Sequence, residues 1–162
     1  MHGGDISVFD VNSGEHLGLL TGIPPTPRHL VISADGKKLY VSSNQSGMIS
    51  EVDLDDALTR LIASGRKQID ARPKTLFVGK GARTLSLSPD NQYIYVACNN
   101  DSRLVMVDRD KWRVLDSIPL SPYGVGLAVH PRGDMVITTS QGRQGKGGHK
   151  VDVFKVRQPN EQ

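Results

Sequence analysis

A set of basic and amide side chains recurs next to predicted turns, where it could bind an anion. Guanidinium and ammonium groups form charge-assisted hydrogen bonds to carboxylate or phosphate oxygens, and amide side chains add neutral donors. These residue types predict that the chain binds an anionic small molecule, a carboxylate-rich glycan or an acidic protein partner. The alternative is a hydrated basic rim with turn-forming asparagines. The candidate ligand-binding residues are Arg28, His29, Asn44, Lys80, Arg83, Asn99, Arg103, Arg143, Lys146 and His149.

Catalytic chemistry has little support in the same residues. The chain has three glutamates, Glu15, Glu51 and Glu161, and none lies among the basic candidates. Asp101 does lie among them, but a single carboxylate makes no acid–base pair. The five histidines show no metal-ligand spacing, and Cys98 is the only cysteine, so no zinc framework or intrachain disulfide is expected. We therefore predict no catalytic residue, metal or cofactor, and expect a protein that is not an enzyme.

Composition is that of a soluble globular chain. The 162 residues suggest one domain, hydrophobic residues make up 37%, and no apolar run approaches the roughly 18 residues of a membrane span. No signal-peptide pattern is visible at the start. Aromatic residues are 5% and lie mainly in predicted strands, so nucleic-acid binding is not expected.

Charge is spread unevenly along the chain, whose formal net charge is +3. Between residues 60 and 83 seven basic residues accompany one acid, hence +6, whereas the remainder has 13 basic and 16 acidic residues, hence −3. Such a block can attract an anionic ligand, and the alternative is a solvated connector.

Three segments of the sequence align with one another. They read RHLVISADGKKLYVSS from Arg28, RTLSLSPDNQYIYVAC from Arg83 and VGLAVHPRGDMVITTS from Val125. Each has an apolar strand, a turn rich in Pro, Asp, Asn or Gly, and a second apolar strand. A third strand follows in each unit, at 48–53, 103–108 and 151–155, and 6–10 is a further copy.

The spacing of the repeats predicts β-propeller blades. Equivalent leucines are 55 residues apart in the first interval and 42 in the second, against about 40–45 residues for a four-stranded blade. The longer unit predicts a helix of one to two turns near 55–64, with the outer strand resuming near 75–78. Aspartates 10, 53 and 108 end the third strands and are predicted to bond backbone amides of the next turn.

The segments LYVSSNQSGMISEVDL and IYVACNNDSRLVMVD resemble YVTN-type β-propeller repeats. That group includes surface-layer repeat proteins and lactonase-like seven-bladed propellers. The resemblance covers nearly the whole chain and implies an all-β propeller that binds ligands, with a bacterial periplasmic or extracellular location. It leaves two alternatives open, a fragment of a lactonase-like hydrolase and a structural surface-layer repeat.

The predicted strands amount to about three and a half blades in a single partial propeller. Residues 5–22 end one blade, 23–80 form a blade with the insertion, 81–120 form a blade, 121–157 form an incomplete last blade and 158–162 are a tail. Blades bury their faces on neighbours. We therefore expect missing blades in a longer chain or a second copy to close the ring, or an open fan.

The candidate residues are predicted to meet on one face. In propellers the turns between strands two and three and the connections between blades lie at the same end of the sheets. The first group comprises 43–46, 99–102 and 141–149, and the second comprises 26–29, 79–83 and 121–124. One loop face would therefore collect the basic candidates.

Overall fold

A computed structural model describes residues 4–65, 67–145 and 147–157 of the chain. Within them the fold is all-β apart from one helix, as the sequence predicts. The strands are β1 Gly4–Phe9, β2 His16–Ile23, β3 Pro27–Ile32, β4 Lys38–Ser43, β5 Met48–Asp53, β6 Gln68–Asp70, β7 Lys74–Phe77, β8 Ala82–Leu87, β9 Tyr93–Cys98, β10 Arg103–Asp108, β11 Arg113–Pro119, β12 Gly124–Val129, β13 Met135–Ser140 and β14 Val151–Lys155. Helix α1 spans Leu54–Ser64.

The strands form four consecutive sheets. Sheet 1 has the order β1-β2-β6, sheet 2 β3-β4-β5-β7, sheet 3 β8-β9-β10-β11 and sheet 4 β12-β13-β14. All neighbours are antiparallel except β2 and β6. Sheets 2 and 3 are therefore complete four-stranded units, whereas sheet 4 has three strands among the described residues.

Three apolar clusters lie where the sheets face one another. Leu39 and Val41 of sheet 2 pack with Leu20 of sheet 1. Ile49 of sheet 2 packs with Val105 and neighbours in sheet 3, and Leu104 of sheet 3 packs with Val136 of sheet 4. Burying a side chain of this size stabilises the fold by about 1.5–3 kcal/mol. Each sheet is thus held by its neighbours.

Helix α1 is longer than the one to two turns predicted, with 11 residues. Asp53 caps it, since its Oδ1 accepts a hydrogen bond from the Asp56 amide at 3.0 Å. Gly65 ends it in the left-handed conformation, with φ 59°. Ala57 and Leu61 are buried in the cluster between sheets 1 and 2, and this packing supports the extra turn.

Strand β6 was not predicted from the sequence. Its residues pair in parallel with Leu19–Thr21 of β2, so part of the second unit completes the first sheet. The amide of Leu19 donates to the carbonyl of Lys67, and Thr21 Oγ1 donates to the carbonyl of Ile69 at 3.1 Å. The outer strand then resumes as β7, close to the predicted position.

The predicted aspartate turns are confirmed. Asp10 Oδ1 accepts hydrogen bonds from the amides of Asn12 and Ser13, and Asp108 Oδ1 accepts one from Lys111. These backbone hydrogen bonds are the main cause that lowers the pKa of the Asp10 and Asp108 carboxyl groups. The ionised carboxylate thus stabilises each corner after a third strand.

Candidate functional site

One backbone hydrogen bond recurs at the same end of sheets 2, 3 and 4. The amide of Asn44 donates to the carbonyl of Thr26, that of Asn99 to Gly81, and that of Gln141 to Tyr123. Each bond joins a turn after a second strand to the connection before a first strand. The two groups of turns therefore lie side by side, and we call this end of the sheets the loop face.

A repeated irregularity in strand register positions Arg28 and Arg83. The register between the first and second strands slips once in each sheet, between Pro27 and His29 and between Ala82 and Thr84. Arg28 and Arg83 are the extra residues of these equivalent β-bulges. The two arginines therefore occupy equivalent backbone positions on adjacent sheets, at bulges of the kind that redirect a side chain. Val125 takes the corresponding place in sheet 4.

Hydrogen bonds between sheets fix these bulges. The Arg83 carbonyl accepts a bond of 2.5 Å from Ser42 Oγ of the preceding sheet. The Val125 carbonyl accepts one from Thr84 Oγ1. Ser42 is fully buried, so its hydroxyl is held away from water. The backbone that carries Arg83 is therefore rigidly attached to sheet 2.

Arg28 and His29 line a groove between β1 of sheet 1 and β3 of sheet 2. Both side chains are exposed, and the groove of about 440 Å³ also contacts Asp5, Ser7 and Leu30. Leu30 is 48% exposed, although it shares a sheet face with buried Val41 across the β3–β4 pair. The groove thus combines an apolar wall with Arg28, His29 and one carboxylate, that of Asp5.

Asn44 and Asn99 meet directly on the loop face. Asn44 Nδ2 donates to Asn99 Oδ1 at 3.3 Å, across adjacent sheets. The pair uses one donor of Asn44 and one acceptor of Asn99, so further amide donors and acceptors stay available to a ligand.

Lys80 lies on the same face beside a carboxylate. Its amide donates to Asp101 Oδ2 at 2.7 Å, and its side chain is exposed. Asp101 therefore holds the connection between sheets 2 and 3 and places one negative charge among the cations. The sequence marked Asp101 as a possible acid, and the structure shows it bonding backbone.

The third turn of the loop face carries Arg143 and His149. The Arg143 guanidinium carbon lies 5.7 Å from the centre of the Tyr123 ring, within cation–π range. His149 is exposed, and its Nδ1 lies 3.3 Å from the Gly147 carbonyl oxygen. Lys146 lies outside the described residues. Tyr123 was not predicted from sequence, because its role depends on Arg143 twenty residues away.

Arg103 differs from the other candidates. Its Nε donates to Ser117 Oγ at 2.9 Å, and its Nη2 donates to both Ser117 Oγ and the Ser117 carbonyl. The side chain thus lies along β11, the outer strand of sheet 3. These contacts give Arg103 a structural role in joining two strands, which the sequence did not indicate.

Cations on the loop face lack the acidic partners found at the opposite end. There, Lys38 Nζ lies 3.0 Å from Asp53, Lys111 Nζ lies 3.4 Å from Asp108, and Arg132 is paired with Asp134. Within the described ranges, no carboxylate lies within 4.0 Å of a charged group of the loop-face cations. These cations are Arg28, Lys80, Arg83 and Arg143. Among the described residues these cations are therefore not held in ion pairs and are available to an anion.

Neither a cluster of metal ligands nor a membrane-spanning helix occurs among residues 4–65, 67–145 and 147–157. No group of three His, Cys, Asp or Glu residues is arranged to hold a metal ion there. No helix in those ranges has the length and apolar character needed to cross a membrane.

The fold and its repeated loop face define the class: the sheets are blades of the β-propeller type. A solved structure, titled Kuenenia stuttgartiensis Hydrazine Synthase, is similar with a TM-score of 0.73 and 22% sequence identity. The similarity covers 93% of this chain and 40% of that chain, so this chain spans less than half of its length. At this identity the likeness shows a shared fold.

Many solved structures share this architecture, since 818 chains match, and a fold this widespread does not define a function. No family model matches the sequence. No curated protein matches it either.

Proposed function

We propose that the chain is a non-catalytic binding module whose loop face receives an anionic small molecule, glycan or protein partner. The observation that supports this proposal is the placement of Arg28 and Arg83. They stand at equivalent bulges of adjacent sheets, and among the described residues no carboxylate lies within 4.0 Å of either guanidinium. Arginine presents planar pairs of donors that match carboxylates and phosphates.

The remaining candidates are proposed to act around this pair. Lys80, Arg143 and His149 add positive or titratable groups along the rim, and Asn44 and Asn99 add amide donors. His29 extends the site into the groove beside Arg28. Lys146 is kept as a candidate on the basis of its sequence position.

The proposal also concerns the family to which the repeats belong. We infer that the units are YVTN-type repeats, because LYVSS and IYVAC form the second strands of two complete blades and each is followed by an amide-rich turn on the loop face. We also propose that further blades or a second copy of the chain complete the ring. Leu30 and Ile32 of sheet 2, 48% and 52% exposed, are apolar residues that such a neighbour would cover.

The experiment is a charge-matched binding comparison. Titration calorimetry with citrate and with an oligogalacturonate would be performed on the wild type and on the double variant R28Q/R83Q. Loss of two charged hydrogen bonds, each about 1.5–3 kcal/mol, predicts at least about a hundredfold weaker binding. The control K67Q/R113Q removes the same net charge at exposed positions away from the loop face.

The comparison of the two double variants distinguishes a specific binding site from non-specific electrostatic attraction. Binding that falls in R28Q/R83Q and persists in K67Q/R113Q supports the proposal. Equal weakening in both variants would show that net charge alone explains the binding. Unchanged binding in R28Q/R83Q would show that the two arginines do not form the binding site. Thermal unfolding of each variant checks that the fold is retained.

A further inference from the structure

Two blades carry an arginine at one end of the first strand and an aspartate at the other end. In sheet 2, Arg28 stands at the bulge of β3, and Asp35 lies seven residues later in the turn that follows β3. In sheet 3, Arg83 and Asp90 repeat the arrangement around β8 with the same spacing. The two ends of such a strand are roughly 20 Å apart, at about 3.3 Å per residue. The arginine and the aspartate of one strand are therefore too far apart to pair within one copy.

The end of the sheets opposite the loop face, which we call the corner face, is acidic. It combines the turns after first strands with the corners after third strands, and the Leu54 amide joins the two kinds by donating to the Lys37 carbonyl at 2.8 Å. Its ranges are 10–15, 33–37, 53–56, 88–92, 108–112 and 130–134, which contain ten Asp or Glu and four Lys or Arg residues, hence −6. The described residues of the loop face contain four cations and Asp101, hence +3. The two faces are therefore oppositely charged.

The carboxylates of Asp35 and Asp90 are exposed, and one oxygen of each is free of hydrogen bonds among the described residues. Asp35 Oδ1 accepts hydrogen bonds from Ser33 Oγ at 2.5 Å and from the Lys37 amide at 3.1 Å, and Asp90 Oδ1 accepts the equivalent pair within its own turn. The serine hydroxyl is the main cause that lowers the pKa of each carboxyl group, so both are ionised at neutral pH. Neither carboxylate forms an ion pair with a described residue.

Sheet 4 lacks both members of the arrangement. Val125 stands at the bulge in place of an arginine, and Arg132, seven residues later, takes the position of the aspartates. The turn itself is equivalent, because the amide of Gly133 donates to the carbonyl of His130 at 2.8 Å, as Gly36 and Asn91 donate in the other two turns. The arginine and the aspartate are thus present together in two blades and absent together in the third. This joint occurrence is expected if the two positions meet across a contact between copies.

We propose that the loop face of one copy binds the corner face of a second copy, with like blades stacked head to tail. Arg28 then faces Asp35 of the next copy and Arg83 faces Asp90, so one displacement along the first strands forms both pairs. Guanidinium groups bind carboxylates through paired N–H donors. A second copy fits because it presents two carboxylates at the same blade spacing as the two bulges. The contact is heterologous and leaves a free face at each end, so it extends into stacks.

The inference rests on the proposed function, in that loop-face cations accept carboxylates, and it assigns those carboxylates to a second copy. Sedimentation velocity of the full chain at pH 7 tests it. Wild type should form concentration-dependent dimers and larger stacks in about 20 mM NaCl and dissociate in about 500 mM NaCl, because salt screens exposed charges. R28Q/R83Q and D35N/D90N should each weaken association about tenfold, since each removes two exposed ion pairs from the contact. Asparagine keeps the side-chain acceptor of the turn, so D35N/D90N should fold.

Matched controls carry the same change of charge elsewhere. K67Q/R113Q removes two cations and D55N/D110N removes two carboxylates, all at exposed positions outside the proposed pairs. Both controls should associate nearly as the wild type does. Citrate titration distinguishes this contact from the anion site, because D35N/D90N should lose stacking and keep citrate binding.

Charge reversal tests the pairing directly. R28E/R83E and D35K/D90K, each checked for folding by circular dichroism, should not stack alone, because like charges then meet at the contact. Their equimolar mixture should stack, because the glutamates of one variant face the lysines of the other, and the remaining arginines face the remaining aspartates. If D35K/D90K does not fold, D35N/D90N and its control D55N/D110N decide the question.

Several results would overturn the proposal. These are a folded wild type that stays monomeric in low salt, controls that weaken association as much as the paired variants, and a mixture of folded charge-reversed proteins that does not stack. Association that is insensitive to salt and unchanged in D35N/D90N would also overturn it, in favour of contact between apolar blade faces. A chain that binds citrate without stacking rejects the stacking alone, and charge-dependent stacking without binding of citrate or oligogalacturonate supports it while rejecting the small-anion and glycan site.

Discussion

Asn44 and Asn99 join the loop face of two neighbouring blades, because the side-chain amide of Asn44 donates to the side-chain oxygen of Asn99 over 3.3 Å. They occupy the same place in successive repeats, directly after the second strand. A position predicted only for ligand binding therefore also links the blades.

We expect Asn99→Ala to lower the free energy of unfolding by about 1 kcal/mol, since it removes a partly buried hydrogen bond. Asn44→Ala should cost a similar amount, and the double variant should cost less than the sum of the two. Urea unfolding measures all three. Asn100→Ala, at an exposed neighbouring position, is the control and should be neutral; strict additivity would contradict direct coupling.

The connection before each first strand contains a left-handed residue, which is Thr26, Gly81 and Tyr123 in successive blades with φ 64°, 76° and 59°. A β-branched threonine is strained in this region, whereas glycine is not. We expect Thr26→Gly to raise the free energy of unfolding by up to about 1 kcal/mol, measured by urea unfolding. The lost Thr26–Gln45 hydrogen bond limits the gain.

Gly81→Ala is the reverse experiment at the equivalent position. The new Cβ would collide with Asn99 Oδ1 and with the Asn100 backbone, in addition to the left-handed strain. We expect a loss larger than the gain in Thr26→Gly, by the same urea measurement. A neutral Gly81→Ala would show that this connection relaxes easily and that the loop face is not tightly held.

Acid should weaken the blade corners. The folded-state pKa of Asp10, Asp53 and Asp108 lies below the ordinary value of 3.8, chiefly because each carboxylate accepts backbone hydrogen bonds. Their stabilisation is present above the unfolded-state pKa and is lost as pH falls through the lower folded-state pKa. Urea unfolding at pH 7, 5, 4 and 3 should show the loss beginning near pH 4.

Asp108→Asn provides the matched control for the acid effect. Asparagine can accept the same hydrogen bond from the Lys111 amide but carries no titrating charge at this pH. The variant should therefore lose less stability than the wild type between pH 5 and pH 3. An identical pH profile would show that other groups govern acid unfolding.

Cys98 should resist thiol reagents in the folded protein. Burial raises the pKa of its thiol to about 12, so almost no thiolate is present at pH 8. Labelling with Ellman's reagent should be slow in native buffer and complete in 6 M urea. Rapid native labelling would show that the blade interface around Cys98 opens readily.

We expect the chain to associate with itself in solution. Leu30 and Ile32 of sheet 2, and Val151 and Val153 of sheet 4, are between 48% and 63% exposed. Apolar surface of this kind favours association. Light scattering should therefore find a dimer or larger species, and a clean, stable monomer would contradict ring completion by a second copy.

The sequence predicted most strands because alternation and turn chemistry are local. The third strands 48–53, 103–108 and 151–155 agree with the structure residue for residue. Strand β6 was missed because three residues, of which only Ile69 is apolar, carry no periodic signal, and their pairing with β2 is decided by tertiary structure.

Side-chain partners were harder to predict than elements. The hydrogen bonds between Arg103 and Ser117 depend on the register of β10 with β11. The bulges at Arg28 and Arg83 depend on the pairing of β3 with β4 and of β8 with β9. Neither register can be predicted from the local sequence. The sequence therefore predicted which residues reach the loop face better than it predicted which of them stay free.

Strand β6 also limits how genetic duplication, deletion or recombination can alter this repeat. The segment that separates the third and fourth strands of sheet 2 places residues 68–70 in sheet 1, so sequence units and structural sheets do not coincide at this junction. A genetic duplication or deletion cut at the repeat boundary would remove a strand from one blade while altering another. Recombination that preserves folding must therefore move sheets 1 and 2 together, whereas the four strands of sheet 3 are consecutive in the chain.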